Sequence, residues 1–302
     1  MQKRKMTMAA ASKSFILSLI LFSSFALTAQ PVDTASHVNK KRLKRLVWTS
    51  SAAYGVTLVG LHQLWYKNAE QQSFQFFNDN PEWKQVDKLG HFFSTFYFSY
   101  GTAKALKWCN VPDRKADLAG ALTGFTVMIP IEIMDGFSDA YGASTGDLLA
   151  NASGSLLYFG QSRLWNEIRI YPKYSFRPTD FARERPNVLG DGFFSEALKD
   201  YNGQTYWLSI DVDKFTKFPK WLNIAVGYGA EGMVYARDQQ NIEQGFGDPY
   251  RQYYLGIDFD LTAIHTRSKF LKTVLFLVNM LKLPSPAVEY SKGNFRFRPL
   301  AF

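Results

Sequence analysis

Asp87-Lys88-Leu89-Gly90-His91 opens an apolar stretch that runs on through Tyr100 to Trp108. Two similar stretches follow. One ends on Glu132-x-x-Asp135-x-x-x-Asp139; the next begins with Ser144-x-x-Asp147-x-x-x-Asn151-x-x-Gly154. Ionisable groups among apolar helical residues are costly unless they pair, face water or carry a function. Spacings of three and four put each set on one helical face. The pattern therefore predicts apolar helices that turn polar faces toward a common point.

Working outward, four helices are expected. They cover about 46–66, 86–108, 117–137 (kinked at Pro130) and 144 or 147 to 165. Short loops make neighbours antiparallel. The first is long enough to cross a bilayer, with Trp48 at one end and Trp65-Tyr66 at the other. Its small residues (Ser50, Ser51, Ala52, Ala53, Gly55, Gly60) suit close helix contact. Asn78-Asp79-Asn80-Pro81 reads as a loop.

The character changes after Tyr171. Residues 172–205 are rich in Pro, Arg, Asp and Asn and read as a linker, with a short helix expected near Phe194 to Lys199. Period-two alternation then takes over at 207–212, 222–229 and 253–261, the mark of strands with one apolar face. Phe270 to Leu281 interrupts as a very apolar helix that either covers the sheet or dips into a membrane. Phe295-Arg296-Phe297-Arg298 is a last alternating piece before the terminal Phe302. It resembles the closing strand of outer-membrane barrels, but Pro299 interrupts it, and four or five strands cannot close a barrel of at least eight. The expected fold is α+β and membrane-associated, an apolar four-helix bundle followed by a C-terminal antiparallel β unit. The expected divisions are a signal peptide at 1–29, a polar and basic lead-in at 30–45, the bundle at 46–171, the linker at 172–205 and the β unit at 206–302.

The signal peptide is read from basic Lys3, Arg4, Lys5 and Lys13, the apolar core from Phe15 to Ala26, and Leu27-Thr28-Ala29 before Gln30. The mature chain is expected to begin near Gln30, exported to the cell envelope at the outer membrane or its periplasmic face, with the inner membrane as the other location. The chain carries 35 Lys+Arg against 26 Asp+Glu; without the four basic leader residues, 31 face 26. This modest surplus holds no basic run suited to nucleic acid, and no nucleic-acid partner is expected. Lys40 to Arg45 forms one cluster, suited to acidic headgroups or to a solvated helix start. The single cysteine, Cys109, permits no internal disulfide. Aromatics at 16% suit a membrane interface as well as a core.

The candidate binding residues are Asp87, Lys88, His91, Glu132, Asp135, Ser144, Asp147 and Asn151. Carboxylates with one histidine could hold a divalent ion, but they fit neither a zinc pattern nor a calcium loop; no metal and no cofactor is expected. A His/carboxylate pair could instead move a proton. The third possibility is a purely structural polar network, with Lys88 neutralising a carboxylate. Asp117 reads as a peripheral acid, and His62 and His265 as incidental. No nucleophile elbow, phosphate loop, dinucleotide fingerprint or metalloprotease motif occurs. Gly227-Tyr228-Gly229-Ala230-Glu231-Gly232 follows a strand and marks close backbone approach rather than a phosphate cradle.

Asp87-Lys88-Leu89-Gly90-His91, Glu132-x-x-Asp135 and Ser144-x-x-Asp147-x-x-x-Asn151 together resemble the YfiM-like family of envelope proteins, predicted periplasmic lipoproteins of unknown function. More distantly they are similar to the VanZ-like membrane proteins, which share an Asp-Lys-x-x-His opening, a later glutamate and an Asp-x-x-x-Asn pair. The resemblance spans roughly residues 70–165, and Leu198 to Trp207 extends it toward longer members. The chain departs from it in having no lipoprotein cysteine, and in Asp135 where VanZ-like chains carry glutamine. The resemblance implies an envelope location and no known activity. The function expected is binding of an envelope lipid or glycan in a polar pocket within the bundle. The alternatives are a membrane-embedded enzyme using His91 with Glu132 or Asp135, and a structural scaffold.

Overall fold

The computed structural model describes residues 37–66, 69–139 and 141–302. The expected signal peptide lies outside the described residues. The chain divides into two compact units. The helical unit holds the described residues up to Asp79 together with Ser94–Asn166; the sheet unit holds Asn80–Phe93 and Glu167–Phe302.

In the helical unit α1 spans Lys40–Leu61 and is capped by Asn39, whose side chain accepts the Arg42 N–H at 3.0 Å. It starts earlier than expected because this cap lets the basic cluster join the helix. A π turn, His62–Tyr66, follows. Helix α2 spans Val86–Trp108, its first two turns belonging to the sheet unit. The expected kinked third helix is instead two, α3 at Asp113–Thr126 and α4 at Ile129–Gly136. Pro130 sits in the first turn of α4, where its missing N–H costs nothing. Helix α5 spans Thr145–Leu164 behind an N-cap at Ser144. Among the described residues one stretch, Asp113–Gly136, is long and apolar enough to cross a membrane, whereas the sequence pointed to the first helix, at 46–66. The other helices interleave too many small and polar residues.

Small residues set the helix spacing. A Cβ on Gly124 would lie 2.7 Å from the Thr95 carbonyl oxygen and 2.8 Å from the Ser99 nitrogen on α2. Nothing lies within 4 Å of the same position on Gly160. Gly124→Ala is expected to lower stability by about 1–3 kcal/mol through overpacking, while Gly160→Ala leaves it unchanged or slightly raised. Thermal midpoints of the two variants check this; equal midpoints would contradict the packing argument. Polar residues line the same interior. Ser99 Oγ donates to the Thr95 carbonyl at 2.7 Å and lies 3.2 Å from Ser155 Oγ, from which it can accept, whereas Leu118, Leu122, Leu149, Leu156 and Leu164 are exposed.

The sheet unit has six strands: β1 Ile170–Phe176, β2 Gln204–Ile210, β3 Leu222–Glu231, β4 Tyr250–Phe259, β5 Ser285–Ser291 and β6 Asn294–Ala301. Each is antiparallel to the next, in chain order. The stretch expected as linker contains β1 and three short helices, α6 Phe181–Glu184, α7 Pro186–Leu189 and α8 Phe193–Lys199. Pro172 is tolerated in β1 because that strand lies at the sheet edge. Helix α9 spans Asp238–Glu243 and α10 spans Lys269–Asn279.

The register lines up Leu208, Val226, Leu255, Val288 and Phe297 across five strands. The apolar residues thus share one side, but that side faces outward: Leu255 is 57% and Phe297 67% exposed, and Ile224, Val226 and Val288 are exposed as well. Helix α10 leaves these residues uncovered, and its own Phe270 is 78% exposed. The buried side is the polar one. Lys173, Ser209, Asn223, Asp258 and Glu289 lie there with Trp207. Trp207 Nε1 donates to Ser175 Oγ at 2.9 Å, and its ring lies 2.5 Å from where a Cβ on Gly227 would be. The glycine motif at 227–232 thus makes room for an indole.

Candidate functional site

Ser144 organises the polar centre of the helical unit. As N-cap of α5 its Oγ accepts the Asp147 N–H at 3.1 Å and donates to Asp79 Oδ1. Its own N–H donates to Glu132 Oε2 at 3.1 Å. The carboxylates of Glu132 and Asp147 approach within 4.8 Å of each other, as do those of Asp79 and Asp147. Glu132, Ser144, Asp147 and Asn151 are all buried. Asn151 follows one turn after Asp147, on the same face of α5. The positive end of the α5 dipole favours anions here. It offsets only part of the cost of gathering like charges out of water, which is lowered by a proton, a cation or a cationic group.

Asp135 accepts the Tyr66 hydroxyl at 2.6 Å. Asp139 shares no helical face with it, because α4 ends at Gly136; its carboxylate accepts the Glu70 N–H at 2.9 Å. Asp117 is not peripheral. It is buried, lies 2.8 Å from Lys107 Nζ and accepts the Tyr158 hydroxyl at 2.6 Å. Both partners sit on other helices, so no local pattern marked it. The same unit therefore holds a buried carboxylate with an evident lysine partner, and a second place where three carboxylates gather around a serine.

In the sheet unit Asp87, Lys88 and His91 ride on the first two turns of α2. The turn before them is left-handed: Trp83, Lys84 and Gln85 have φ of 47°, 50° and 63°. Non-glycine residues are strained there and need outside support. Lys84 Nζ reaches Asp238, the Lys84 carbonyl accepts the Tyr228 hydroxyl, the Trp83 N–H donates to the Ala236 carbonyl at 2.7 Å, and Arg251 donates to Gln85 Oε1 at 2.8 Å. This clamp fixes where α2 begins. Lys88 Nζ lies 3.1 Å from Asp87 Oδ2, so the lysine neutralises its neighbour. Gly90 approaches Tyr206, and Phe93 stacks its edge on Tyr174 and Tyr206. Burial and the Asp87 charge hold the Tyr206 phenol far above its usual range. His91 is half-buried.

Of the expected residues, the helical unit brings together Glu132, Ser144, Asp147 and Asn151, and the sheet unit pairs Asp87 with Lys88. Asp79 is a member that sequence reasoning passed over as part of a loop. Its only signal was an acidic residue between two asparagines ahead of Pro81.

Residues 75–160 match the sequence model of a family described as a predicted periplasmic lipoprotein (DUF2279). The matched stretch includes every candidate residue. The similarity supports an exported, envelope-associated protein of unknown biochemical activity. No curated protein matches the chain, and no solved structure matches it. Cys109 is buried against Leu46 and Ala105.

Proposed function

We propose that the protein is a membrane-seated binding protein of the envelope, whose buried carboxylates recognise an ammonium-bearing head, that of an aminophospholipid or an amino sugar. One observation carries this reading: the carboxylates of Asp79, Glu132 and Asp147 gather around Ser144 at the head of α5. Asp87, Lys88 and His91 are proposed as binding residues too, on the Asp-x-x-x-His spacing that opens α2. Outward leucines over a polar interior, and the apolar stretch Asp113–Gly136, support seating in a membrane.

The test uses the full chain with phosphoethanolamine and glucosamine as probes, and glycerol phosphate and magnesium as controls. An ammonium probe is expected to raise the thermal midpoint of the wild type. Glu132→Gln, Asp147→Asn and His91→Gln are expected to bind it about ten- to a hundredfold more weakly, the loss of one charge-assisted hydrogen bond; Asp113→Asn is expected to bind as the wild type does. A wild type that responds to neither ammonium probe makes the cluster structural. A response to magnesium alone makes it a cation site.

A further inference from the structure

We infer that the sheet unit docks on the anionic headgroups of a lipid bilayer through the concavity lined by Lys214–Lys220, with its aliphatic face turned to the acyl layer. The outward side of the sheet presents Ile224, Val226, Leu255, Val288 and Phe297 to the surroundings, while Lys173, Asp258 and Glu289 lie within. A sheet in water buries the opposite side; apolar-out and polar-in is the pattern of strands that face lipid. An exposed apolar face spanning four strands, β3 to β6, is more than a soluble surface normally carries.

The end of this face is chemically distinct. The segment joining β2 to β3 reads Lys214-Phe215-Thr216-Lys217-Phe218-Pro219-Lys220-Trp221, and Phe215, Phe218 and Trp221 are exposed. Residues 213–218 and Lys220 line an open concavity of about 550 Å³. Asp213 is its one acidic lining residue. Lys217 and Lys220 make no ion pair among the described residues. The segment is held in shape from behind: Arg169 Nη1 donates to the Lys214 carbonyl at 3.0 Å, its guanidinium lies 5.3 Å from the Phe215 ring centre, and Lys214 Nζ reaches Glu167 at 3.1 Å. Trp221 stacks on Phe259, and its carbonyl accepts the Asp260 N–H at 3.0 Å. The chain leaving β4 thus starts beside Trp221, then adds exposed Lys269, Phe270 and Lys272 at the head of α10.

Lysines alternating with exposed aromatics bind at the level of headgroups, the rings in the interface and the ammonium groups on phosphates. A soluble anion would account for the lysines alone, and neither for the three rings nor for the aliphatic face that continues from them.

The test labels Thr216→Cys with an environment-sensitive dye in the full chain carrying Cys109→Ser. The chain is titrated with vesicles of phosphatidylcholine, with or without phosphatidylglycerol. The emission is expected to shift blue with phosphatidylglycerol vesicles and to reverse in high salt. Lys217→Glu/Lys220→Glu is expected to weaken the association about tenfold or more; Lys115→Glu, an equal charge change in the helical unit, keeps the wild-type curve. Circular dichroism confirms that both charge variants fold. An unshifted emission with either vesicle would overturn the docking. So would the same shift with both lipids that survives Lys217→Glu/Lys220→Glu, or a response to glycerol phosphate equal to that with vesicles.

Discussion

Lys173→Met is expected to destabilise the protein by about 3–5 kcal/mol, the cost of stranding one partner of a buried ion pair. Lys173 is 1% exposed, and its Nζ lies 2.6 Å from Asp258 Oδ2 and 3.0 Å from both the Phe259 carbonyl and Asn279 Oδ1. Asp258 is wholly buried and keeps only the Ser209 hydroxyl, at 2.6 Å, once the lysine is gone. Lys282 moderates the loss. Burial, with Lys173 adding repulsion, pushes its pKa down to about 8, and Asp258 pulls the other way. Removing Lys173 leaves Lys282 as the charge nearest to replacing it, so the cost should sit at the lower end of the range. At about 2–4 °C per kcal/mol for a chain of this size, the thermal midpoint should fall by about 10 °C. Lys173→Met/Asp258→Leu removes both charges and should recover most of the loss. A single variant within about 1 kcal/mol of the wild type, or a double variant no better than the single, would show that the pair does not hold the sheet together.

That lysine also marks where the sequence stopped being legible. Alternation exposed β2, β3 and β4, because a period of two is written into the chain whichever side is buried. It is silent on which side that is. The answer lies in partners from distant segments: Lys173 in β1 meets Asp258 in β4, and Ser175 in β1 meets Trp207 in β2. Strand β1 itself read as linker because Pro172 and Lys173 break the usual composition of a strand. Strand β5 was missed since Ser285, Ala287, Glu289 and Ser291 point inward and leave little apolar contrast.

The polar centre of the helical unit was legible where its signal was local. Ser144 and Asp147 stand together at the start of an apolar stretch, and the helix does begin there, with Ser144 as its N-cap. Glu132 joins it through a backbone N–H, and Asp79 through a hydroxyl 65 residues away. Neither contact leaves a periodic trace. Asp139 would share the face of Glu132 and Asp135 only if the helix ran on past Gly136, and it ends there.

Asp211→Asn is expected to stabilise the protein at pH 8 and to leave it nearly unchanged at about pH 4. Asp211 is buried where β2 ends. Burial first, and then the charges of Asp260 and Asp213, raise its pKa to about 7, against the pull of a 2.6 Å hydrogen bond from Asn223 Nδ2 and of Lys214. In the unfolded chain the same carboxyl ionises near the usual 3.8. Between these values the folded protein keeps a proton that the unfolded chain has released. Stability from this group is therefore fully present below about pH 4 and is lost as the pH climbs to about 7. The amide cannot ionise, so the variant avoids that loss; at about 1.36 kcal/mol per tenfold change in proton affinity, the gain above pH 7 approaches about 4 kcal/mol. The amide still offers Asn223 an oxygen to bond. Melting curves of both proteins at pH 4, 5, 6, 7 and 8 decide the matter: the midpoints should coincide at about pH 4 and separate steadily up to about pH 7, the variant on top. Parallel curves across that range would mean that Asp211 is already ionised in the folded protein, and that Asn223 and Lys214 outweigh burial.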